Sequence, residues 1–371
     1  MIGETRMNKV LFLSPNLGLG GGGAERQIVT VASLLKDSGY DVEFLCYADG
    51  NFYEDILKKK EITVHYKLLP NYLKRMIFVR RFIRKGKYNA VVSFLETPNF
   101  LNNFAAIGGK TWKVITGERS AQERTFISTK GKIFCWFQRY ADYIVCNSEN
   151  AKNMWLKYCQ RYKRKMAVIY NNVTLQKISS EYVPKRGDRL HVVVAASYQS
   201  LKNTMGMINA LALLSNEERE RIHVDWYGNR FIAATGTNVY DEAIAAIEKY
   251  NLQQVITLHG GTNEIHNRMN EADVVGLFSK FEGLPNALCE GMMLGKPIIM
   301  TRVSDYNTLI DDSNGVLCDW NNAETIKDAL LKLINVPVSK LLKMGESSRK
   351  KANVLFSKEQ ITNKWIELIE K

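Results

Sequence analysis

No stretch of this sequence is apolar for the length that a bilayer-spanning helix needs, and its start lacks the basic segment and cleavage site of a secretory leader. There is no D-x-D triplet, no G-x-S-x-G elbow and no Walker-type phosphate loop. The five histidines (His65, His191, His223, His259, His266) are dispersed, so neither a metal site nor a metal cofactor is expected. The six cysteines (Cys46, Cys135, Cys146, Cys159, Cys289, Cys318) are scattered without ligand-type spacing. That favours reduced thiols in a cytoplasmic compartment over a disulfide framework.

Acidic residues are also missing locally: none occurs from Ile62 to Leu95, where Lys74, Arg75, Arg80, Arg81, Arg84, Lys85 and Lys87 cluster. Residues 1–183 hold 29 Lys and Arg against 15 Asp and Glu, whereas the remainder is balanced at 22 against 23. The net charge of +13 therefore belongs to the N-terminal half, which points to an anionic partner there. On a helix, Tyr72, Met76, Val79 and Ile83 share one stripe and most of the cations the opposite side. Such a helix suits docking on anionic lipid at the inner face of the membrane. The alternative is an ordinary solvated face. No nucleic-acid-binding module surrounds the basic run.

At 371 residues the chain exceeds a usual single core. Short apolar runs alternate with helical patterns throughout: Lys9–Leu13, Val42–Tyr47, Ala90–Phe94, Lys113–Thr116, Tyr143–Cys146 and Met166–Tyr170 read as strands, with helices between them. The polar segment Thr174–Arg189 interrupts this pattern, and strands His191–Ala195, His223–Tyr227, Val255–Leu258 and Val274–Phe278 resume it. Repeated βα units imply two α/β domains with mostly parallel, doubly wound sheets. We place them at 1–183 and 184–356, with a final helix at 357–371.

The stretch Phe281-Glu282-Gly283-Leu284-Pro285-Asn286-Ala287-Leu288-Cys289-Glu290, running on to Gly295-Lys296-Pro297, is the most informative. Pro285 fits the first turn of a helix, where no N–H is needed, and Gly295 fits its stop. A helix N-terminus offers unpaired N–H groups and partial positive charge to a phosphate. Two carboxylates, Glu282 and Glu290, bracket that anion site. The bland alternative is a helix-capping Glu282 and a solvated Glu290.

This stretch resembles the E-x7-E signature of the GT4-type retaining glycosyltransferases, and the resemblance extends over essentially the whole chain. It implies the GT-B fold: two Rossmann-like domains facing a cleft, the first for the acceptor and the second for the donor, with the last helix crossing back to the first domain. It also implies a nucleotide-sugar donor, a UDP-sugar by family habit, and a glycan or lipid-linked acceptor of bacterial surface polysaccharide. Glu282 then lies against the donor sugar, Glu290 bonds the ribose, and amides from Gly283 to Asn286 hold the pyrophosphate. Lys202 matches the family's phosphate-gripping lysine. The arginine that usually precedes it is replaced by Ser197, with Arg302 a substitute candidate. Gly21-Gly22-Gly23, followed by Ala24 and Glu25, resembles the family's "GGAE" loop facing the donor phosphates. The acceptor-side histidine is absent; Glu118 and Arg119 stand there, with Glu96 a further acceptor-side candidate.

Two other readings compete. Gly18 to Gly23 matches G-x-G-x-x-G after a strand and before a helix, so an NAD(P)-dependent oxidoreductase with Asp49 as the ribose acid is an alternative. A GT-B epimerase acting on a nucleotide sugar is another.

Overall fold

The computed structural model of the chain describes residues 8–19, 23–119, 123–184, 189–230 and 238–371. It divides into two compact units, one of residues 1–172 with 356–371 and one of residues 173–355.

Unit 1 is built on β1 (Lys9–Ser14), β2 (Asp41–Cys46), β3 (Thr63–Tyr66), β4 (Ala90–Phe94), β5 (Lys113–Glu118), β6 (Tyr143–Cys146) and β7 (Met166–Val168). All pair in parallel in the order β3-β2-β1-β4-β5-β6-β7. The central strands are buried on both faces, as in the all-buried Ala90-Val91-Val92-Ser93-Phe94, because helices cover both sides. The last helix, Lys358–Glu370, contributes Ile361, Trp365, Leu368 and Ile369 to the same core as Val10, Phe12 and Phe44. Its Trp365 is 2 % exposed and sits 6.0 Å from the Phe94 ring. A fully buried aromatic of this size contributes about 2–3 kcal/mol.

Unit 2 repeats the plan with β8 (Leu190–Ala195), β9 (Ile222–Tyr227), β10 (Ile256–His259), β11 (Val274–Leu277), β12 (Ile298–Thr301) and β13 (Gly315–Cys318). Their order is β10-β9-β8-β11-β12-β13, again all parallel. In both sheets the winding reverses direction once, between β1 and β4 and between β8 and β11. Side chains following the C-terminal ends of such strands face a crevice suited to ligands.

The polar segment Thr174–Arg189, expected as the interdomain linker, is not free chain where it is described. It falls within unit 2, and its first half straps the helix Ile265–Glu271: Ser179 N–H donates to Asn267 Oδ1 at 2.9 Å, and Ser180 Oγ donates to the Asn267 carbonyl at 3.0 Å. The units divide at 172/173 and at 355/356. A polar segment without periodicity can still be ordered when its hydrogen bonds are met by a neighbouring helix.

Candidate functional site

The reversal point of the second sheet gathers the strongest constellation. After β8 the chain makes a tight 3-10 turn, Ser200–Lys202, and Asn203 takes a left-handed φ of 64° before the helix Thr204–Ala212. After β11 it passes through Ser279 to Glu282. The two loops are joined by Lys280 N–H to the Leu201 carbonyl at 2.8 Å. Lys202 Nζ then donates to Glu282 Oε1 at 2.6 Å, and Ser279 Oγ donates to the same oxygen at 2.7 Å. The Lys202 and Glu282 side chains are 21 % and 12 % exposed. So the structure brings together two predicted site residues that are far apart in sequence. Ser197 is close by in sequence but serves its own loop, accepting from Gln199 Nε2 at 3.0 Å. Arg302 pairs with Asp319 at 2.9 Å, with both side chains nearly half exposed.

Beyond Glu282 the helix begins at Asn286 and runs to Met293, with Pro285 as the residue before its first turn. The Pro285 carbonyl accepts from the N–H groups of Leu288 and Cys289, both at 3.1 Å. Gly295 closes the segment with φ +75°, a conformation that favours glycine. Gly291 lets the helix lie against β11: a Cβ there would meet the Val275 side chain at 2.8 Å. Leu284 is buried, and the Gly283 carbonyl accepts from Ser304 Oγ. Ser304 itself is held at φ 55°, an uncommon conformation for a residue with a side chain.

Glu290 is only 6 % exposed, which excludes the solvated-face alternative. Its Oε2 lies 3.3 Å from His266 Nε2, on the strapped helix Ile265–Glu271. His266 and Ser279 were not singled out in the sequence, since neither falls in a recognisable motif. Each is found only through its contact with a predicted carboxylate.

In unit 1, Gly21 and Gly22 lie outside the described residues, and Gly23 is the exposed first residue of the helix Gly23–Asp37. Glu96 opens the helix Glu96–Ala105 and pairs with Lys130 at 2.9 Å. Glu118, at the end of β5, accepts from Asn99 Nδ2 at 3.1 Å. Burial pushes its carboxyl up to about 7, against the opposing hydrogen bonds from Asn99 and Trp155. Arg119 Nη1 donates to Asn171 Oδ1 at 3.0 Å, and its guanidinium lies 3.6 Å from the centre of the Phe94 ring. Its Nε and Nη2 are buried without a partner, and burial lowers its pKa to about 9. Asp49, offered as a ribose acid, accepts from the N–H of its neighbour Gly50 in the loop after β2.

Two expectations about charge are corrected. The cations of the helix Tyr72–Lys85 do not form one solvated face. Arg80 donates to the carbonyls of Phe104, Ala105 and Ile107, and Arg84 to those of Ala105, Ile107 and Gly109. Arg75 bonds the Leu69 and Pro70 carbonyls. A guanidinium has five donors, so it can finish a helix C-terminus whose carbonyls have no internal partners. The histidines are not dispersed in space either. His191, His223 and His259 converge on Asp225 at 2.8, 3.3 and 2.7 Å. Burial opposes ionisation of Asp225, but these three hydrogen bonds outweigh it and hold the carboxyl far below the usual range. Among the described residues no group of three or more His, Cys, Asp or Glu is placed to hold a metal ion.

Comparison with known proteins agrees with this geometry. Residues 176–351 match the family model "Glycosyl transferases group 1", and residues 21–177 match "Glycosyltransferase Family 4". An Escherichia coli protein named UDP-Gal:alpha-D-GlcNAc-diphosphoundecaprenol alpha-1,3-galactosyltransferase is 22 % identical, covering 94 % of each chain. A Campylobacter jejuni diphospho-undecaprenol 4-alpha-N-acetylgalactosaminyltransferase is also 22 % identical, over 92 % of this chain and 94 % of that one. Among solved structures, Anabaena HepE in complex with UDP superposes with a TM-score of 0.81 at 17 % identity, covering 97 % of this chain and 98 % of that one. These relatives lend no support to the oxidoreductase or epimerase readings.

Proposed function

We propose, for a chain that belongs to the GT4-type glycosyltransferases of the GT-B fold, a retaining transfer of a sugar from a UDP-linked donor to a lipid-linked acceptor. The observation that carries it is the Lys202–Glu282 pair at the reversal point of the second sheet, beside the N-terminus of the helix Asn286–Met293. Donor departure places negative charge on the diphosphate and positive charge on the sugar. Lys202 and the first-turn amides stabilise the former, and Glu282 stands to stabilise the latter. Glu290 accepts from the ribose hydroxyls. The leaving diphosphate takes the acceptor proton, so no separate base is required, and no metal cofactor enters the scheme.

The diphosphoundecaprenol named for the relatives supports a lipid diphosphate carrier for the acceptor, taken up by unit 1 through Glu96, Glu118 and Arg119. Such a carrier sits in a bilayer, so the enzyme works from the cytoplasmic face as a peripheral protein. No helix among the described residues is long and apolar enough to cross a membrane. What fits docking is a surface of exposed apolar side chains edged by cations. Leu73 (64 % exposed) and Ile77 lie on the helix Tyr72–Lys85, and Ile133 and Trp136 on the helix Thr129–Phe137. Both helices pack on Glu96–Ala105, and Lys74, Arg81 and Lys132 flank them. Each cation near an anionic surface contributes about 1 kcal/mol.

Calorimetry with UDP, GDP and NAD is the direct test. Binding of UDP alone is the expected result. Binding of NAD without UDP overturns the proposal.

A further inference from the structure

We propose that His266 is a positioning residue for Glu290, fixing the carboxylate in the orientation that receives the ribose; this rests on the reading of Glu290 as the ribose acceptor. The two side chains are 4 % and 6 % exposed, on packed neighbouring helices. The Gln176 N–H donates to His266 Nδ1 at 3.0 Å. That bond occupies the Nδ1 lone pair, so the hydrogen of the neutral ring is on Nε2.

Nε2 is therefore a donor, buried, with no aligned partner, although Glu290 Oε2 lies only 3.3 Å away. A buried N–H left in this state is costly, and a histidine kept only for packing is satisfied at both nitrogens. The ring cannot easily turn to improve the contact. Its Nδ1 is tied to the strap, which is itself pinned through Ser179 and Ser180 to Asn267. A turn of the carboxylate about its terminal torsion, which is broad for a glutamate, would bring Oε2 into line with the Nε2 hydrogen. A carboxylate accepts about four hydrogen bonds, so one from His266 leaves capacity for hydroxyls. The strap, the imidazole and the carboxylate thus form a chain in which backbone geometry sets the orientation of a ligand-binding group.

The experiment is calorimetry of the full-length protein with UDP and with 2′,3′-dideoxy-UDP, which lacks the ribose hydroxyls. Two variants separate anchoring from positioning. His266→Asn keeps an acceptor for the Gln176 N–H and loses the reach to Glu290. His266→Gln places an amide N–H near the Nε2 position. Wild type is expected to prefer UDP by about tenfold or more, a difference of about 1.4 kcal/mol. H266N is expected to lose most of that preference by weakening UDP alone, and H266Q to retain it. An undiminished preference in H266N, or equal losses for both nucleotides, overturns the proposal and leaves His266 a structural residue. A wild type that does not discriminate the two nucleotides fails the Glu290 reading itself, which is recognised before any variant is made.

Discussion

Replacing Lys202 with methionine should weaken UDP binding without unfolding the protein, and the structure sets the size of the effect. A hydrogen bond between ionised groups is worth about 1.5–3 kcal/mol, or roughly 10–150-fold in affinity. In the free protein, however, Lys202 already donates to Glu282 at 2.6 Å. Unit charges 4 Å apart attract by about 4 kcal/mol at an effective dielectric of about 20, so this pairing is traded when the diphosphate arrives. The net loss in Lys202→Met therefore belongs at the low end, about 10–30-fold in Kd. The same logic fixes the sign for Glu282→Gln: a lysine released from its carboxylate meets phosphate more readily. UDP affinity should then hold or rise by a few-fold while turnover on the true donor falls. In the double variant the two changes should not add, because each residue is the other's partner. Calorimetry of the four proteins, with melting curves to confirm folding, closes the cycle. A folded Lys202→Met protein with unchanged UDP affinity would refute the reasoning. So would a Glu282→Gln protein that loses as much affinity as Lys202→Met.

Activity should persist in excess EDTA, and a complete loss restored by Mg²⁺ or Mn²⁺ would reveal a metal requirement. Vesicles rich in anionic lipid should bind the protein, and Leu73→Glu with Arg81→Glu should abolish flotation while sparing UDP binding; equal binding to neutral vesicles counts against the surface. Arg80→Glu should instead lower stability by about 1–3 kcal/mol, since it strips partners from the carbonyls of Phe104, Ala105 and Ile107, and a denaturation midpoint measures this. Burial raises the Glu118 carboxyl to about 7, so between the unfolded value near 4.5 and 7 the native state binds the proton that the unfolded chain has released. Stability from this group is therefore full below about 4.5 and lost as pH rises through 7. Glu118→Gln should flatten that decline in denaturant midpoints taken from pH 5 to 8.

The βα order could be read along the chain because interior strands of parallel sheets are unbroken apolar runs, as in Ala90–Phe94 and Ile298–Thr301. Of the four edge strands, β7 and β10 could be read as well, but β3 and β13 could not. Thr63-Val64-His65-Tyr66 is half exposed, and Gly315–Cys318 is short and begins with glycine, so neither carries a burial signal. Counting cations along Tyr72–Lys85 misled for a related reason. Charge is written in the sequence, but its partner is not: the carbonyls that bind Arg80 and Arg84 come from the end of a later helix, and a carbonyl looks the same in every residue.

The site shows the same division between local and non-local information. The spacing of Glu282 and Glu290 around a helix start is a local pattern and was legible. Lys202 was named from the family resemblance, and its meeting with Glu282 follows from strands β8 and β11 being neighbours at a reversal point. The histidines around Asp225 lie one step further. Parallel register sets His191 beside His223 and Tyr227 beside His259, so residues alternating along three adjacent strands share one face. That cluster was readable in principle from register, had strand pairing been carried through residue by residue. His266 was not readable at all. Its meeting with Glu290 depends on the packing of two helices and on a backbone N–H from a segment without periodicity. Groups that touch substrate tend to lie in recurring local patterns because strand ends and helix starts place them. Groups that hold them in place are drawn from whatever packs behind, and only the folded chain brings those together.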